Sequence, residues 1–152
     1  MRRLSGVVLA GAILMLPAFS QNAGVQAQAP QKLTMEGDLA LWSVAIRPDK
    51  TADFEKIMGK IKEALSKSEA AEAKQQLAGW RVVKMSKPMP DGNIIYTHVI
   101  TPVAGADYNI LQVLYATFKD PAEQKELYEM YRGAFAANLG ISSGGVAVDL
   151  SK

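Results

Sequence analysis

His98 is the one histidine in a chain that contains no cysteine, so acid–base chemistry near neutral pH has to be sought around it. A neutral imidazole can take a proton from a substrate or ligate a haem iron. Residues Ile94 to Ile100 alternate as a strand does, which puts Tyr96, His98 and Ile100 on one face and Ile95, Thr97 and Val99 on the other. If the first face lines an open side of a sheet, His98 stands beside Tyr96 as a candidate catalytic pair, the imidazole as base and the phenol orienting a substrate. The competing reading is a histidine satisfied by a polar neighbour. No acid in the sequence is placed to complete a triad with it.

Trp42 and Trp80 lie on segments that a sheet would bring side by side, and with Tyr115 they are the candidate ligand-binding residues, walling an aromatic pocket. Tryptophans on strands also fill cores. Tyr108, Tyr115, Tyr128 and Tyr131 recur at near-helical spacing and are suited to docking helices on a sheet. Other constellations fail. Ser142-Ser143-Gly144-Gly145 lacks the following helix of a phosphate loop, and no serine occupies a nucleophile elbow. The seven methionines are not clustered as a copper site requires, so no metal and no cofactor is expected. Glu123, Glu126 and Glu129 trace a solvated helix face.

Positioning these residues takes a definite series of elements. Residues 39–46 form a short apolar run stopped by Pro48, with Trp42, Val44 and Ile46 alternating, and read as a strand. A helix follows, with Asp49 or Thr51 as its cap and Phe54, Ile57, Ile61, Ala64 and Leu65 on one face. Ser66 with Glu69 suggests a capping box and a second helical piece running to Leu77, ended by Gly79 in a left-handed conformation. Trp80 to Met85 and Ile94 to Ile100 make a hairpin around Pro88-Met89-Pro90-Asp91-Gly92-Asn93, where Gly92 or Asn93 can take positive φ. Residues 107–118 have helical spacing, although Val113 to Phe118 would also suit a strand. Asp120-Pro121-Ala122-Glu123 opens a last helix, with Leu127, Tyr131, Ala134 and Phe135 inward and Gly140 closing it. Val146 to Leu150 reads as the final strand.

Residues 1–27 divide as a secretory leader does. Arg2-Arg3 precede an apolar run from Val7 to Leu16, and a small-residue stretch leads to cleavage after Ala27. Cleavage after Ala29 would leave Pro30 behind the cut. The run is shorter than the roughly 20 apolar residues of a membrane span, and Leu4-Ser5-Gly6 is a poor continuation for a twin-arginine signal. The expected mature chain comprises a loose segment at 28–38 and one domain at 39–152, secreted or periplasmic, with no membrane association once the leader is removed. Arg2 and Arg3 account for the formal net charge of +2, because the 17 basic residues of the full chain become 15 against 15 acids. That balance gives no electrostatic case for nucleic acid. Without cysteine there is neither disulfide nor lipid anchor, and packing alone holds the fold.

The order β-α-β-β-α-β is the split βαβ pattern of a ferredoxin-like α+β fold, and over residues 39–150 it resembles the dimeric α+β-barrel superfamily, which includes antibiotic-biosynthesis-monooxygenase-like proteins. The resemblance rests on element order. It implies an antiparallel sheet with helices on one face and a homodimer formed sheet to sheet, the open face being too apolar to meet water. Three functions follow as expectations: a homodimer that binds a small apolar or aromatic molecule between sheet and helices, a cofactor-independent monooxygenase-like enzyme using His98 and Tyr96, and a non-catalytic structural or protein-binding module.

Overall fold

The computed structural model describes residues 31–151, so the proposed leader lies outside the described residues. The chain forms an α+β domain with one four-stranded antiparallel sheet. Strand β1 (Leu39–Ile46) leads through a single 3-10 turn at Pro48–Lys50 into α1 (Thr51–Lys67) and α2 (Ala73–Gly79). Strands β2 (Trp80–Lys84) and β3 (Ile94–Ile100) follow, then α3 (Ile110–Thr117), α4 (Pro121–Ala134) and β4 (Phe135–Gly144). The sheet order is β2-β3-β1-β4, which is compatible with a ferredoxin-like arrangement. Among the described residues no helix is long and apolar enough to cross a membrane.

Pairing register decides which face of the sheet is inside. Trp42 stands opposite His98, Val44 opposite Tyr96, and His98 opposite Val82 on the far strand. Ala40, Trp42, Val44, Ile46, Tyr96, His98 and Ile100 are all buried, and they pack with the apolar stripe of α1, Phe54, Ile57, Ile61 and Leu65. Each such large apolar side chain contributes about 1.5–3 kcal/mol by leaving water. The other face shows Leu39, Leu41, Val83 and Met85, each roughly two-fifths exposed.

Several local expectations hold. The hairpin closes with Met89 N–H donating to Asn93 O and Gly92 N–H to Met89 O, and Gly92 has φ 85°. Asp120 accepts from Glu123 N–H at 2.8 Å to start α4, with Pro121 in the first turn. Residues 110–117 are helical.

Others are corrected. Neither Asp49 nor Thr51 caps α1, whose N-cap is Lys50, without a side-chain bond. Ser66 lies inside α1 and donates to Lys62 O, and the second helical piece starts at Ala73. Gly79 is not left-handed; it is needed for close approach, since a Cβ there would meet Thr101 O at 3.0 Å. The last helix ends at Ala134 instead of reaching Gly140, and the final strand is Phe135–Gly144, not 146–150.

β4 has little apolar patterning and is almost wholly exposed. It is held by its backbone ladder to β1, which would otherwise leave the unpaired edge of a buried strand. Register shifts opposite Ser43/Val44 and Ala45/Ile46 let the strand bend round that edge.

Candidate functional site

The first crossover, α1–α2, and the hairpin bring the sequence-selected residues to one place. His98, at mid-strand on β3, is fully enclosed. Trp42, its neighbour on β1, stacks on the imidazole with ring centroids 4.6 Å apart and planes 21° apart. Trp80, at the start of β2, lies 5.8 Å away on the other side. Phe54 from α1 closes the cage edge-on at 6.1 Å.

Polar atoms in this cage are specifically matched. The indole N–H of Trp80 donates to His98 Nδ1 at 3.0 Å, and that of Trp42 donates to Asn138 Oδ1 at 3.1 Å. Because an indole can only donate, Nδ1 must be the unprotonated nitrogen, and the neutral ring carries its proton on Nε2. Nε2 is buried with no hydrogen-bond partner among the described residues. Burial pushes the imidazole down from 6.5 to about 4, because a charged ring here would lose its water and gain no anion. In this state neither ring nitrogen has a free lone pair. As placed, His98 can take a proton or bind a metal only if Trp80 lets go.

Tyr96 shares the inward face but not the cage. Its ring packs on Phe54 at 4.7 Å, and its hydroxyl donates to Glu55 Oε1 at 2.5 Å, an oxygen that also accepts from Lys84 Nζ at 3.0 Å. Burial, then the Glu55 carboxylate, raises the Tyr96 phenol above its ordinary range, so it stays protonated. Tyr115 is placed elsewhere, on α3, where its hydroxyl donates to Gln124 O on α4. The structure thus joins His98, Trp42 and Trp80, sets Tyr96 one ring further along, and leaves Tyr115 docking helices.

Two members of the cluster were not singled out from the sequence as partners of its polar atoms. Asn138 sits on a strand whose existence the pattern concealed, and Tyr108, fully buried, stacks edge-on against Trp80 at 5.4 Å while its hydroxyl accepts from Val103 N–H at 3.0 Å.

Cavities lie away from the imidazole. An apolar groove of about 60 Å³ is lined by Met58, Ile61, Leu65, Leu77, Trp80 and Val82, with Lys62 at its edge. Toward the opposite edge of the sheet, Leu39, Leu41, Ser142, Ser143 and Val146 border a cleft of about 290 Å³. Since a cavity of about 150 Å³ is what holds a benzene ring, the groove at Trp80 is too small for an aromatic molecule and the cleft at Leu41 is large enough. The described residues contain no group of three or more His, Cys, Asp or Glu side chains able to hold a metal ion. No family model, curated protein or solved structure matches the chain.

Proposed function

We propose that the chain is an exported, homodimeric ferredoxin-like domain that binds a small apolar or aromatic molecule at the uncovered face of its sheet. The observation that carries this reading is the cleft of about 290 Å³ beside Leu39, Leu41 and Val146. It opens at one edge of a face where Val83 and Met85 also stand exposed. Apolar side chains supply the affinity in such clefts and a few polar groups the orientation; here Ser142, which pairs with Leu41 on the outer face, is the polar side chain. A second copy laid on the same face would cover the exposed leucines and enclose the cleft.

The ferredoxin-like assignment is supported by the strand order and by helical crossovers joining β1 to β2 and β3 to β4. Export is supported by the leader pattern of residues 1–27. The monooxygenase-like reading draws less support, because His98 Nδ1 is occupied by Trp80 and the ring is sealed.

A neutral fluorescent probe, N-phenyl-1-naphthylamine, tests the placement. Saturable fluorescence enhancement that disappears in Leu41→Glu and persists in Trp80→Phe supports the cleft. Enhancement lost in Trp80→Phe and His98→Ala, and kept in Leu41→Glu, moves the site to the aromatic cage and revives the enzyme reading. A dimer that binds no probe leaves the purely structural module.

A further inference from the structure

An open cleft on the helical side has a different chemistry from the sheet. A cavity of about 260 Å³ lies between the end of α1, the start of α2, the segment before α3, and α3 itself. Its floor is made of small and apolar groups, among them Ala64, Ala73 and Val113, and its polar lining includes Glu72, Gln76, Asp107 and Gln112. Lysine and arginine are absent from that lining. Two lysines on the flanking segments are engaged elsewhere: Lys67 pairs with Glu63 at 2.6 Å, and Lys32 donates to Gly105 O at 3.1 Å.

Hydrogen-bond accounting shows which capacity is left over. Gln76 is only 3% exposed, and its Nε2 donates to Asp107 O at 2.7 Å. Its Oε1 accepts no hydrogen bond among the described residues and, unlike His98 Nε2, is not sealed from solvent. Asp107 spends Oδ1 on the N–H groups of Leu33 and Asn109, and Oδ2 has no partner. Glu72 has no ion pair or hydrogen bond on its carboxylate among the described residues. Thr117 has already committed its hydroxyl proton to Ala64 O. Ser68 Oγ only accepts and the Gln112 amide is unengaged, so donors are also left over. Every charged group in the lining, however, is a carboxylate, over an apolar floor.

We infer that this cleft is a binding site for a small organic cation, a primary alkylammonium compound with a short apolar body. The ammonium donates to Glu72, Asp107 Oδ2 and Gln76 Oε1, and the alkyl part lies on Ala64, Ala73 and Val113. A metal ion fits less well, because only two carboxylates line the space and the floor gives it nothing to coordinate. The volume sets the size: above the roughly 150 Å³ that holds benzene and just below the ~300 Å³ where drug-sized pockets begin. This site is separate from the sheet-face cleft and stands or falls independently of it.

The test is titration of the ¹⁵N-labelled protein with n-butylammonium chloride, with 1-butanol as the neutral analogue of like shape. Saturable shifts confined to Ser68, Glu72, Gln76 and Gln112, at least about tenfold weaker with butanol, are expected, since tenfold corresponds to one charge-assisted bond. Glu72→Gln, a side chain that supports nothing else, should weaken butylammonium about tenfold and leave butanol unchanged. Asp107→Asn keeps the Oδ1 acceptor and should weaken it similarly. Equal responses to the two probes, no saturable shift, or full binding by both variants would overturn the assignment.

Discussion

The indole N–H of Trp80 points at Nδ1 of His98 across 3.0 Å, joining the first residue of β2 to the middle of β3. With Trp42 stacked on one face of the imidazole and Phe54 edge-on, the ring is held by neighbours that can accept it only when neutral. Protonation would place an N–H against an N–H. The cluster therefore behaves as a structural unit with a defined acid limit.

That limit predicts a pH dependence of stability. The folded-state value of about 4 lies below the ordinary 6.5, so between those values the unfolded chain binds a proton that the native one refuses. Stability accordingly falls as pH drops from about 6.5 to about 4 and levels off below that, the full difference amounting to about 3 kcal/mol at 1.36 kcal/mol per unit. Urea unfolding across that range should show this slope. His98→Leu should abolish it, whatever it does to stability at pH 7. Long-range ¹⁵N–¹H spectra should show the proton on Nε2.

Much of this arrangement was legible, and the illegible part has physical causes. Alternation correctly grouped Tyr96, His98 and Ile100 on one face, but Ile95, Thr97 and Val99 are apolar enough to have been the inner set. The choice is made by partners far along the chain, Trp42 and Phe54, and it puts His98 in the core instead of on the open side. β4 was missed because Ala134-Phe135-Ala136-Ala137 continues a helical composition, and because a strand exposed along its length needs no alternation. Val146, Val148 and Leu150 have the alternation and lack the ladder, and they stand 61%, 73% and 94% exposed. Glu72 and Gln76 stand one turn apart at the start of α2, but Asp107 reaches them from the segment before α3, a meeting that no local spacing announces.

Tyr96 and Glu55 form a second acid-sensitive link. The phenol, followed by Lys84, holds the Glu55 carboxyl below its ordinary range. A depressed carboxyl stabilises the fold above its ordinary range, and that contribution disappears as pH falls through the lowered value. Tyr96→Phe should return Glu55 toward its usual value in a carboxyl NMR titration. The lost bond of this buried phenol should cost about 1 kcal/mol.

Two glycines should respond oppositely to alanine. Gly37 has φ 82°, and a Cβ there would lie 2.6 Å from Gly144 O, where Asp38 N–H ties the start of β1 to the end of β4. The backbone cannot retreat without breaking that bond, so Gly37→Ala should destabilise by about 1–3 kcal/mol. Gly59 is exposed within α1, and a Cβ there meets nothing within 4 Å. Gly59→Ala should therefore stabilise by about 0.5–1 kcal/mol. Paired denaturant melts would measure both.

The sheet face makes the last prediction. Leu39, Leu41, Val83 and Met85 are exposed on a sheet whose centre carries a hydrogen bond between the Ser43 and Thr97 hydroxyls at 2.9 Å. Such a surface suits a two-fold contact, because each copy offers the same apolar patch, with Arg81 as its charged residue on the edge strand β2. Light scattering during gel filtration should give twice the monomer mass. Val83→Glu should give the monomer mass while preserving far-ultraviolet circular dichroism, since the glutamate points outward from β2 and displaces nothing in the core. A parent protein that runs as a monomer at about 100 times the concentration used for the variant would show that the face does not pair with itself. The cleft beside Leu41 would then have to bind its ligand half-open, and probe affinity should be the same for the parent and Val83→Glu.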